Sequence, residues 1–103
     1  MVYDLIITER AEELLDQLIY HLVFRLKNDQ AAAHLVDSVE KIYNRLEENP
    51  YQFPESRDLN LKRLGYREAV LTSMNYAIVY RIEEYSVYVV GIFHQLEDYR
   101  KKV

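Results

Sequence analysis

The chain contains no cysteine and no tryptophan, and only 2 glycines and 2 prolines in 103 residues. Without cysteine there is no disulfide scaffold, thiolate zinc site, iron–sulfur cluster or thiol nucleophile. So little glycine and proline excludes collagen-like and linker-like chains, and two isolated glycines cannot build a phosphate-cradling loop. No apolar run approaches the ~20 residues of a membrane span. The first ten residues, MVYDLIITER, lack the basic start and cleavage site of a signal peptide. A soluble cytoplasmic protein with no membrane contact is the expectation. Half the residues are hydrophobic, so one domain over residues 1–103 with its own core is expected.

Charge is uneven. Residues 1–56 carry 5 Lys/Arg against 11 Asp/Glu, and residues 57–103 carry 8 against 6, for a net charge of −4. The overall field repels phosphate, so any contact with nucleic acid needs a local basic patch.

Along the chain, residues 2–7 are short, apolar and β-branched, which predicts a strand. Thr8 is placed to cap a helix whose stripe is Ala11, Leu15, Leu18, Leu22 and Leu26, ending near Lys27. Asn28-Asp29 opens a second helix. Its apolar positions Ala32, Leu35, Val36, Val39, Ile42, Tyr43 and Leu46 follow helical spacing, and Asn49-Pro50 stops it. So short a break between helices predicts an antiparallel hairpin. Residues 50–62 hold both prolines and read as a surface loop. The period then switches to alternation over residues 64–71, 76–82 and 87–93, with polar turns between them, which is a three-stranded antiparallel meander. The expected fold is α+β, in the order β-α-α-β-β-β. A helical hairpin covers one face of a small antiparallel sheet, and a short C-terminal tail or helix carries Leu96 and Tyr99.

That order resembles the RelE/ParE superfamily of toxins from bacterial type II toxin–antitoxin systems. The resemblance rests on the long helix ending in Asn49-Pro50, the run Leu64-Gly65-Tyr66-Arg67, the strand Tyr76-Ala77-Ile78-Val79-Tyr80-Arg81-Ile82, and the closing Val89-Val90-Gly91-Ile92-Phe93-His94. It implies a growth-arresting toxin of the plasmid-stabilisation kind, neutralised by a cognate antitoxin and using no cofactor. RelE-type members cleave mRNA on the ribosome, whereas ParE-type members are not nucleases and poison DNA gyrase. RNA cleavage needs convergent basic groups and a proton donor. RelE-like toxins carry an arginine where this chain has Ala77, a second basic residue where it has Ala69, and a basic cluster where it has Gln95, Leu96, Glu97 and Asp98. Of the four basic positions only Arg67 is matched. The resemblance therefore favours the ParE-like branch and a non-catalytic toxin acting on gyrase. The alternatives are a ribosome-dependent mRNA endoribonuclease and a non-toxic relative that only binds a partner.

For a nuclease, the candidate catalytic residues are Arg67, Arg81, His94 and Tyr99. His94 offers an imidazole, the side chain most often used as a general acid or base, and follows a strand, although a strand-end histidine is more often packed against its neighbours. Arg67 and Arg81 have the alternative of ion pairs with Glu68, Glu83 or Glu84. The ten tyrosines suit a half-buried sheet surface better than base stacking. His21 and His34 sit within helical patterns away from other ligands, and no metal is expected. For an antitoxin, the candidate contacts are Lys62, Arg63, Arg67 and Arg81. The two arginines are expected to offer bidentate pairing to an acidic arm crossing the open sheet face.

Overall fold

The computed structural model describes residues 2–71, 74–95 and 103. Strand β1 (Asp4–Ile7) leads into α1 (Glu9–Tyr20), where the Thr8 hydroxyl accepts from the Ala11 amide at 3.2 Å. Helix α2 (Asp29–Glu48) starts at Asn28, whose side chain accepts from the Ala31 amide, and ends at Asn49. Then come α3 (Leu59–Arg63), β2 (Tyr66–Val70), β3 (Tyr76–Glu83) and β4 (Ser86–His94). Both caps and the proline stop fall where the sequence places them.

Four details depart from the sequence reading. Helix α1 does not run on to Lys27; at His21–Arg25 it widens into a π-turn, closed by the Leu26 amide donating to the His21 carbonyl. The wider turn changes the phase of the stripe. Leu22 stays buried while Leu26, expected in the core, is exposed. Residues 50–62 are not all loop. Pro50–Gln52 form a 3₁₀ turn and Leu59–Arg63 form α3, capped by the Asp58 carboxylate accepting from the Asn60 and Leu61 amides. The second strand begins at Tyr66, because Leu64 caps α3 and Gly65 turns the chain at φ +90°. The sheet is also mixed, in the order β1-β4-β3-β2. The meander is antiparallel, but β1 runs parallel to β4, pairing Asp4 with Ser86 and Ile7 with Val89. Parallel neighbours need a long crossover, which the intervening helices and strands supply. The expected tail helix lies outside the described residues.

The main core is α2's buried stripe, Ala32, Leu35, Val39, Ile42 and Leu46, set against Ala69, Ile78, Tyr80, Val87 and Val89 of the sheet and Leu71 just past β2. A second cluster on the opposite face joins Leu61 of α3 to Val79 and Phe93, with Tyr66 and Val90 at its margin. Leu14 of α1 touches both clusters.

Gly91 explains part of the closing motif. A Cβ there would collide with the Phe93 ring and lie 3.2 Å from Leu14. Phe93 is buried, so its ring has little room to retreat. Replacing Gly91 by alanine should lower the unfolding free energy by about 1–3 kcal/mol, the usual cost of overpacking, as read in urea denaturation.

Candidate functional site

The pairing of β2 with β3 decides where the two arginines point. Arg67 lies opposite Tyr80, and Arg81 lies opposite Tyr66. Directly paired residues share a face, and neighbours along a strand alternate. Tyr80 belongs to the helix-side core, so Arg67 is on the helix side. Arg81 shares the parity of Val79 and lies on the other face, with Tyr66 and the α3 cluster. The sheet therefore separates the two arginines.

Arg67 is engaged within the fold. Its Nη1 donates to the Phe53 carbonyl at 2.7 Å, and its guanidinium lies 5.2 Å from the centre of the Tyr51 ring. Arg45 of α2 approaches from the other side, 4.9 Å from the Phe53 ring and donating from Nε to Gln52 at 2.8 Å. The segment after α2 is thus clamped between α2 and β2, and the Glu55 backbone pairs antiparallel with that of Arg67 along the sheet edge. Beneath it, the fully buried Tyr80 hydroxyl donates to the Pro50 carbonyl. Burial raises the Tyr80 pKa well above that of an ordinary phenol, with the nearby Arg67 charge pulling weakly the other way.

Arg81 is tied more lightly. It donates to Glu83 two residues on, and its guanidinium lies 5.1 Å from the Tyr88 ring. The bond to Glu83 raises its pKa further, so it stays charged at any relevant pH. Of the acidic partners considered for the two arginines, Glu83 takes Arg81. Glu68 is instead buried and accepts from the Ser56 hydroxyl, the Arg57 amide and the Arg57 side chain. In α3, Lys62 pairs with Glu55 at 3.6 Å and Arg63 is exposed.

His94 stands edge-on to Tyr76, with ring centres 5.6 Å apart. Both line a cleft of about 400 Å³ with Leu14, Gln17, Leu18, His21 and Ile92. Neither arginine reaches this cleft, and Tyr99 lies outside the described residues. The four candidates for RNA cleavage are not assembled: Arg67 and Arg81 are on opposite faces and His94 is in a third place. Ala69 and Ala77 are both fully buried, so a basic residue at either position would have to enter closed packing. Among the described residues, no three His, Asp or Glu side chains gather as metal ligands do, and no helix is long and apolar enough to cross a membrane.

The comparisons agree with this architecture. The family model described as "ParE toxin of type II toxin-antitoxin system, parDE" matches residues 5–99. This chain belongs to the ParE toxin family. The chromosomal ParDE toxin–antitoxin system of P. aeruginosa superposes with a TM-score of 0.72 at 19% identity, covering 90% of this chain and 96% of that one. The toxin–antitoxin complex RelBE2 of Mycobacterium tuberculosis gives 0.62 at 18%, covering 94% and 95%. A free-state mutant of E. coli toxin RelE gives 0.64 at 18%, covering 93% and 86%. No curated protein matches. At these identities the solved structures speak for the fold of a ParE-family toxin, which ParE and RelE share.

Sequence reasoning missed the partners of Arg67. A strand arginine followed by Glu68 reads as half of an ion pair, and nothing local reveals that a carbonyl fourteen residues upstream takes it. The outcome is measurable. Arg67→Ala should cost about 2–3 kcal/mol of stability, the range for a hydrogen bond to a charged group plus a cation–π contact. Arg67→Lys should not restore it, because an ammonium cannot both stack on Tyr51 and reach Phe53 as the planar fork does. Arg81→Ala, which loses a part-exposed pair, should stay within about 0.5 kcal/mol of wild type.

Proposed function

We propose that this ParE-family toxin arrests bacterial growth in the cytoplasm by inhibiting DNA gyrase through protein–protein contact, without cutting RNA, and that a cognate antitoxin neutralises it. The observation that carries this reading is the separation of Arg67 from Arg81 by the sheet. Cleavage of an RNA backbone needs a base at the 2′-hydroxyl, positive charge at the phosphorane and an acid at the leaving oxygen, all within hydrogen-bond reach of one phosphate. Here one arginine is spent on holding a loop, the other is paired with Glu83, and the histidine lies in a different cleft. The family match to ParE adds support for the target.

The relatives of known structure named ParDE and RelBE2 are toxin–antitoxin assemblies, and an antitoxin for this chain is the corresponding proposal. Of the cationic contacts, Lys62, Arg63 and Arg81 belong to the α3 side of the sheet, where an acidic arm would meet them together. Arg67 would be approached from the helix side and would contribute through the loop it holds.

The test runs in two assays with the purified protein. It should inhibit gyrase supercoiling or trap cleaved DNA, and it should leave mRNA intact in a translating extract. Co-production with its antitoxin should restore growth. Site-specific mRNA cuts that disappear in Arg81→Ala or His94→Ala would replace this reading with the endoribonuclease one, and unimpaired growth under strong soluble expression would leave only partner binding.

A further inference from the structure

The π-turn after α1 presents an apolar surface to solvent. Tyr20 is 58% exposed, Phe24 64% and Leu26 58%. The two rings stack on each other at 4.8 Å rather than on the core. Beside them is a shallow groove of about 500 Å³ lined by Asp16, Gln17, Tyr20, His21 and Arg25. Asp16 and Arg25, the first and last of these along the chain, are both exposed. Neither belongs to an ion pair among the described residues. The patch thus combines a knob, a groove next to it, and two opposite charges.

We infer that this patch is a self-association surface, on which a second copy of the chain docks antiparallel about a two-fold axis. The argument is complementarity of the patch with itself. A two-fold contact brings one surface against the same surface reversed, so knob must meet groove and each charge must meet its opposite. Reversed, Phe24 of each copy faces the partner's groove between Asp16 and Arg25. Asp16 of one copy then meets Arg25 of the other at both ends. Nine residues of helical chain separate the two charges, roughly 13 Å at helical rise, and the aromatic pair fits between them. The π-turn makes the arrangement possible, because its extra residue per turn brings Arg25 into line with Asp16 and Tyr20 and turns Phe24 and Leu26 outward.

Size sets the strength. A covered aromatic side chain buries about 150–250 Å², so these partly exposed groups offer on the order of 300–400 Å² per copy. Doubled, this stays below the ~1,200–2,000 Å² of stable complexes and falls in the transient class. The dimer should therefore form in roughly the tens to hundreds of micromolar, not at nanomolar concentration. The inference does not depend on whether gyrase or the ribosome is the target.

Sedimentation equilibrium of the purified toxin from about 5 to 500 µM tests it. The expected result is a monomer–dimer equilibrium within that range. Phe24→Ser should weaken it at least tenfold; the side chain is exposed, so folding is not at issue. Asp16→Arg alone should weaken dimerisation by setting two like charges together at each end. The exchange Asp16→Arg with Arg25→Asp should restore it to within about threefold, a rescue that no general surface effect produces. A monomer at every concentration would overturn the inference. So would a dimer indifferent to Phe24→Ser, or a double exchange as weak as the single one. If the chain stays monomeric while Phe24→Ser loses antitoxin binding, the patch belongs to the antitoxin and the self-association reading falls.

Discussion

The structure turns on one hydrogen bond in the middle of the sheet. Tyr80 is fully buried, and its hydroxyl donates to the carbonyl of Pro50, thirty residues earlier in the chain. A phenol in such a place needs a partner, because an unmatched buried polar group costs about 1–3 kcal/mol. Pro50 supplies it because Asn49-Pro50 ends α2 directly above the sheet; the Asn49 side chain accepts from the Tyr51 amide and starts the 3₁₀ turn. Phe53 then stands edge-on to the Tyr80 ring at 6.4 Å. The end of α2, the following turn and the central strand are joined at this point.

Two consequences follow for the arginines. With Tyr80 facing inward, the register carries its partner Arg67 to the same side, where the Phe53 carbonyl and Tyr51 ring take it up. Arg81, the next residue along, is turned to the opposite face. Two arginines that look alike in sequence thus do unlike work: one holds a loop, and one remains near the surface beside Tyr88. The positive charge of the C-terminal half is therefore divided between faces. That division keeps the two guanidinium groups from acting together on a single phosphate.

Much of the fold was legible where local chemistry dictates it. Thr8, Asn28 and Asn49-Pro50 mark helix ends through their own hydrogen bonds and steric limits, and alternation announces the three meander strands. What escaped depends on distant partners. The π-turn at His21–Arg25 has no residue signature, and Leu26 continues the stripe on paper while leaving it in space. Five-residue α3 is too short for periodicity to show, although Asp58 is a capping signal in retrospect. The parallel partner of β1 lies some eighty residues away. For the candidate site, strand parity correctly aligned Arg67 with Ala69 and Arg81 with Val79. Parity within a strand cannot say which face is which, since a shift of one residue in register reverses every side chain. The expectation that both arginines meet one acidic arm on the open face foundered on that point.

Arg67 and Tyr80 are two parts of one clamp on the segment after α2, and a double-mutant cycle between them measures this directly. Unfolding free energies of wild type, Tyr80→Phe, Arg67→Ala and the double variant would be compared in urea. Residues sharing one network couple by about 0.5–3 kcal/mol, and distant independent ones add within about 0.3–0.5 kcal/mol. The clamp predicts a double variant that loses at least ~1 kcal/mol less than the sum of the singles. Simple additivity would mean that Arg67 does not share the segment with Tyr80, and the clamp would be two independent contacts.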